Sequence, residues 1–140
     1  MRSLFSLFPA SLLALAASAG AQQLPYPQPG AASVNTVQVT APARTLPIRL
    51  EEARQIGGSY EMSNGWFMQV QTASYYIDAT IDDQKPIRLV KVARNQFASS
   101  DGNVNMVFNQ GMSGDEMTMS YVPDRALAQV VVLSSRMAQR

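Results

Sequence analysis

The sequence predicts an all-β protein: an antiparallel meander of about seven strands forming a small barrel or half-barrel, preceded by a short helix and a Pro-rich linker. Two observations carry this. From Gly58 onward apolar residues recur with period two, which gives each strand one oily and one polar face. Turn-forming clusters break that alternation roughly every ten residues, the spacing expected of a small sandwich or barrel.

The chain has 140 residues. Residues 1–21 have the pattern of a signal peptide: Arg2, then an apolar run from Leu4 to Ala19, then the small-residue site Ala19-Gly20-Ala21. Cleavage before Gln22 is expected, with a periplasmic or secreted product and no stable membrane insertion afterwards. Residues 22–47 have prolines at 25, 27, 29, 42 and 47, and are expected to form a disordered linker. Within it, residues 34–40 alternate Val34, Val37 and Val39 with polar neighbours, as an edge strand or a free peptide would. Residues 35–41 are also similar to the short box by which outer-membrane receptors engage a partner through strand addition, but the large barrel of such a receptor is missing.

The β-domain is expected over residues 48–134, with 135–140 as a tail. Residues 50–55 are good helix formers, stopped by Gly57-Gly58. Tyr60 and Met62 begin the alternation, and Ser63-Asn64-Gly65 forms a tight turn that calls for positive φ at Gly65. Trp66, Met68 and Val70 share the next inner face, then Tyr75, Ile77, Ala79 and Ile81. Asp82 to Pro86 turns the chain into the apolar residues 87–92, a central strand or a bulge. Phe97, then Val104, Met106 and Phe108, then Met117, Met119 and Tyr121 continue the inner face. Residues 127–133 are apolar and rich in valine, so a buried strand is expected there.

The function classes follow from what is missing and what is abundant. Eleven basic residues face ten acidic ones, and removing Arg2 with the leader makes the mature chain neutral. No basic run offers a footprint for nucleic acid. There is no histidine and no cysteine, so neither imidazole-based nucleophile systems nor imidazole or thiolate metal sites are available. The neighbouring carboxylates Asp78, Asp82 and Asp83 suit turns and solvent faces better than an acid–base pair. No catalytic residue and no cofactor is expected.

Methionine is abundant, with eight in the chain. Thioethers are soft ligands that select Cu(I), so Met68, Met117 and Met119 with Trp66 form the alternative metal set. The competing account is that methionine fills gaps in an irregular core, and it is the one preferred here.

Gly58, Tyr60, Met62, Asn64 and Gly65, followed by Leu89, Val90, Val92, Asn95, Phe97, Asp101, Gly102 and Phe108, resemble a small β-domain of proteobacterial secreted proteins. Similar sheets are appended to the C-termini of periplasmic serine β-lactamase-like hydrolases. The resemblance implies a fold and no active site, since its residues are turn formers and core apolars and no Ser-x-x-Lys motif is present. The expected function is therefore a non-enzymatic exported domain binding a protein partner or a small apolar ligand. A methionine-based Cu(I) binder is the alternative, and an enzyme of unfamiliar type the second.

Overall fold

The computed structural model describes residues 24–30, 45–124 and 129–139. The expected signal peptide, its cleavage site and residues 34–40 lie outside the described residues. A seven-residue helix α1 (Leu50–Ile56) leads into eight strands: β1 (Gly58–Met62), β2 (Phe67–Thr72), β3 (Tyr76–Ile81), β4 (Ile87–Ala93), β5 (Gln96–Ser99), β6 (Asn105–Gln110), β7 (Glu116–Tyr121) and β8 (Val131–Gln139). Each strand pairs with its neighbours in chain order, and β8 returns to β1, so the sheet is a closed up-and-down barrel. Among the described residues, closure leaves no edge strand to recruit another chain.

Period two decides what is inside. Tyr60, Met68, Val70, Ile77, Ala79, Ile81, Leu89, Phe97, Val104, Met106, Phe108, Met117 and Met119 all belong to one buried cluster, as the alternation requires. An eight-stranded barrel is just wide enough for side chains to fill it. Here long residues do so: Phe108 makes edge contacts with Tyr60 and Phe97, at centroid distances of 5.7 and 5.6 Å.

The β1–β2 turn has the expected geometry. Gly65 takes φ +88°, its N–H bonds Met62 O, and a Cβ built there would meet nothing within 4 Å. The cost of a side chain at this position is therefore conformational. Gly65→Val should lower stability by about 1 kcal/mol or more; unchanged melting would contradict that turn.

Three expectations need correction. Tyr75 does not continue the inner face of β3: it lies in the preceding turn, closed by Ala73 N–H to Tyr76 O, and is 54% exposed. The last strand runs through residues 131–139 and takes in most of the expected tail, while Val130 and Val132 face outward. Its inner face holds Leu133 and Ser135, and Ser135 is opposite both Met62 on β1 and Met117 on β7. A small residue there leaves room for two long thioethers, and its hydroxyl is satisfied by Met117 O at 3.3 Å. Leu127 lies outside the described residues. The third correction concerns the linker and is taken up with the site. The bulge foreseen near residues 87–92 is present, as a register shift between Lys91 and Ala93.

Both ends of the barrel are covered. The turns after β2, β4 and β6 share one end with α1, whose Ile56 is fully buried and accepts a 2.8 Å bond from the Tyr60 hydroxyl. Burying such a side chain contributes roughly 1.5–3 kcal/mol. The turns after β1, β3 and β5 mark the opposite end, which is crossed by residues 24–30.

Candidate functional site

Residues 24–30 (Leu-Pro-Tyr-Pro-Gln-Pro-Gly) form a strap across the barrel mouth. Leu24 and Tyr26 pack against the core, and Pro27 is buried. The Tyr26 ring stacks on Trp66 at 4.6 Å and 19°, while its hydroxyl donates to Asp82 Oδ2 at 2.9 Å. The Tyr121 hydroxyl donates to Pro25 O at 2.6 Å, and Asn103 Nδ2 to Gln28 O at 2.9 Å. Gly30 N–H closes the far end on Asp101 Oδ2 at 2.6 Å.

This overturns the expectation of disorder over these residues, for a reason the prolines supply. Proline fixes its own φ and pushes the residue before it into extended conformations. Leu24, Tyr26 and Gln28 each precede a proline. The segment has little backbone freedom left to lose, so a few contacts suffice to order it.

The residues that hold the strap are turn residues. Asp82 adopts φ +46°, and its Oδ1 accepts Phe67 N–H at 2.9 Å while Oδ2 serves Tyr26. Hydrogen bonding to Asp82, with a smaller part from burial, raises the Tyr26 hydroxyl above its ordinary pKa. Burial pushes Asp101 upward, but bonds from Ser99 Oγ and from the N–H groups of Gly30 and Asn103 outweigh it and hold the carboxyl below its usual value. That contribution is present above the ordinary carboxylate range and is lost as pH falls through the depressed value.

Burial pushes Tyr121 up to about 12. An unfolded tyrosine ionises near pH 10, so the folded chain holds this proton more tightly than the unfolded one. The associated stability is intact below about pH 10 and is lost as pH rises towards about 12. An alkaline titration followed by the fluorescence of the single tryptophan should show this loss, and Tyr121→Phe should diminish it, leaving the part that the raised Tyr26 hydroxyl contributes.

Beside the strap runs a groove of about 400 Å³, lined by Tyr26, Pro27 and Pro29 on one side and Ile81, Ile87 and Val104 on the other. Lys85, Arg88 and Asp101 stand among its polar members. Arg88 is engaged elsewhere, forming a bidentate pair with Asp78 at 2.9 Å and lying 3.9 Å over the Tyr76 ring.

The methionine set has a different setting. Met68 is 1% exposed, Met117 and Met119 are fully buried, and Trp66 lies beneath Tyr26. Met119 is opposite Met106 and Leu133, and Met117 opposite Ser135. Entry of a metal would require the barrel to open. As packing residues, Met117→Leu and Met119→Leu should each cost under about 1.5 kcal/mol; a larger loss in thermal melting would point to a need for sulfur. The three carboxylates do not form a pair either: Asp78 is bound to Arg88, Asp82 to the strap, and Asp83 is exposed in the turn.

Sequence reasoning missed Tyr26, Asp82, Asp101 and Asn103 as a set. The available signal was the strict alternation of proline with Leu, Tyr and Gln, which marks a pre-extended peptide rather than a flexible spacer.

The fold and site define a strap-capped, eight-stranded up-and-down barrel with a packed interior and a shallow groove at its mouth. Comparison with known proteins returns no matching family model, no matching curated protein and no matching solved structure. Among the described residues no helix is long and apolar enough to cross a membrane.

Proposed function

We propose that this is an exported, non-enzymatic binding domain that works at the strapped mouth of the barrel and takes a small, predominantly apolar ligand there. The groove of about 400 Å³ walled by Tyr26, Pro27, Ile81, Ile87 and Val104 carries the reading. Its volume lies within the range of small-molecule sites, and apolar walls with a few polar groups are their usual composition. The interior is filled by side chains, which directs binding to the mouth rather than the lumen. Two carboxylates of the mouth hold structure: Asp82 and Asp101 each accept hydrogen bonds from the strap. That supports binding over catalysis.

A neutral apolar probe such as N-phenyl-1-naphthylamine, titrated into the full chain, should gain fluorescence and perturb Trp66 emission. Ile87→Ser, at a half-buried wall position that also packs against the core, should weaken the probe by about tenfold, with circular dichroism checking that the variant keeps the barrel. Equal binding by the variant would reject the groove as the site.

A second reading has its own support. The strap is an extended proline-rich peptide held by aromatic stacking and by donors to its carbonyls, the mode in which binding domains take proline-rich partners. A partner protein presenting such a segment would compete with residues 24–30. The heptapeptide Leu-Pro-Tyr-Pro-Gln-Pro-Gly should then bind the full-length Tyr26→Ala variant, whose own strap is weakened. No change in Trp66 emission on adding it would exclude this reading.

A further inference from the structure

The helix end of the barrel holds a second concavity, of about 680 Å³, between α1 and the turns that follow β4 and β6. Unlike the groove at the mouth, its lining is entirely polar or charged. The hydrogen bonds among these residues leave an excess of donors.

Glu52 and Lys91 neutralise each other at 2.5 Å, with both side chains only 12% exposed. The same carboxylate also accepts Asn95 N–H at 3.4 Å. Asn109 Nδ2 donates to two amide oxygens, Asn95 Oδ1 at 3.0 Å and Gln55 Oε1 at 3.3 Å. With those oxygens engaged, the Asn95 and Gln55 amides have their NH₂ groups left to offer. Asn95 and Asn109 occupy left-handed backbone positions, φ +58° and +55°, which asparagine tolerates better than most residues. Their placement is thus fixed by the turns themselves.

Arg49 and Arg94 complete the lining, and neither has a carboxylate partner among the described residues. Glu51 is the opposing charge. It is exposed in the first turn of α1 and also without a partner among the described residues. Two unpaired guanidiniums and two amide NH₂ groups therefore stand against one carboxylate. A neutral ligand would leave most of these donors to water. An oxyanion supplies several acceptor oxygens at once, and its planar or tetrahedral face matches the guanidinium fork.

We propose that this pocket binds a small oxyanion, with Arg49 and Arg94 as its charge partners and the Asn95 and Gln55 amides as orienting donors. The site is independent of the groove at the mouth and does not rest on the function proposed for it.

The test uses the full chain, isotopically labelled, titrated with sodium phosphate, sodium sulfate and disodium succinate at an ionic strength held constant with sodium chloride. The side-chain NH₂ signals of Asn95 and Gln55 should shift and saturate with at least one anion. Saturation with succinate alone identifies a carboxylate ligand, and with phosphate or sulfate a tetrahedral one. Arg49→Gln and Arg94→Gln should each weaken binding by about tenfold, the loss of one charge-assisted contact. Both residues are exposed, so melting should barely change and a lost signal will not reflect unfolding. Chloride producing the same shifts, or the double variant binding as tightly as the parent, would overturn the proposal.

Discussion

Phe108→Ala should cost about 3–5 kcal/mol and lower the melting temperature by about 15 °C or more. Phe108 is 1% exposed, and its ring is held edge-on by both Tyr60 and Phe97. Truncation removes the transfer energy of the ring and leaves a cavity that neighbours on two other strands cannot readily fill, because each is fixed by its own ladder. A barrel closed through β1 and β8 has no free edge by which to contract. With a total stability of about 5–15 kcal/mol for a domain of this kind, the variant would lose a large share of it. The adjacent Val107 supplies the control, since it lies on the other face of β6 and is only partly buried. Val107→Ala should cost under about 1.5 kcal/mol. Urea unfolding of the two variants would measure the difference, and comparable losses would mean that inner and outer faces are misassigned.

That contrast also shows which parts of the fold were legible in the chain. The period-two alternation of Val104, Met106 and Phe108 is a local pattern, and it gave the right face on β6 without knowledge of any partner. The same holds for Met117 and Met119 on β7 and for Ile77 and Ala79 on β3. Closure was not legible, because it depends on β8 pairing with β1 across most of the chain. Nor was the extent of β8. Residues 135–140 read as a tail, and 135–139 continue β8 because Ser135 fits between Met62 and Met117. An inward serine is invisible to hydrophobic periodicity.

The site was less legible than the fold. Tyr26 contacts Asp82 across 56 positions, and Tyr121 reaches Pro25 across 96. Asp82 and Asp101 read as turn acids, which they are; that both also anchor the strap follows only from turns β3–β4 and β5–β6 sharing one end of the barrel. The donor-rich pocket at the opposite end is hidden for the same reason. It assembles Arg49 ahead of α1 with residues from α1, β4, the turn after it and the end of β6, none of which forms a motif by itself.

The last prediction sets stability against binding at that pocket. Glu52→Gln should cost about 2–3 kcal/mol, since it leaves Lys91 charged and 12% exposed with no carboxylate beside it. It also weakens the acceptor for Asn95 N–H, which the carboxylate now serves. The cost arises from the partner left behind more than from the attraction lost, so removing both charges should undo much of it. Glu52→Leu with Lys91→Met should come within about 1 kcal/mol of the parent, and a double-mutant cycle in urea should give a strongly favourable coupling. Additive losses would mean that the two side chains act separately, through packing alone. The same Glu52→Gln change deletes a negative charge from the wall of the proposed oxyanion site and leaves the Lys91 charge there unbalanced. Phosphate, sulfate or succinate should therefore bind the less stable variant more tightly than the parent, and the excess should shrink as sodium chloride is raised. A variant that lost stability and anion affinity together would show that Glu52 holds the pocket in shape rather than limiting its charge.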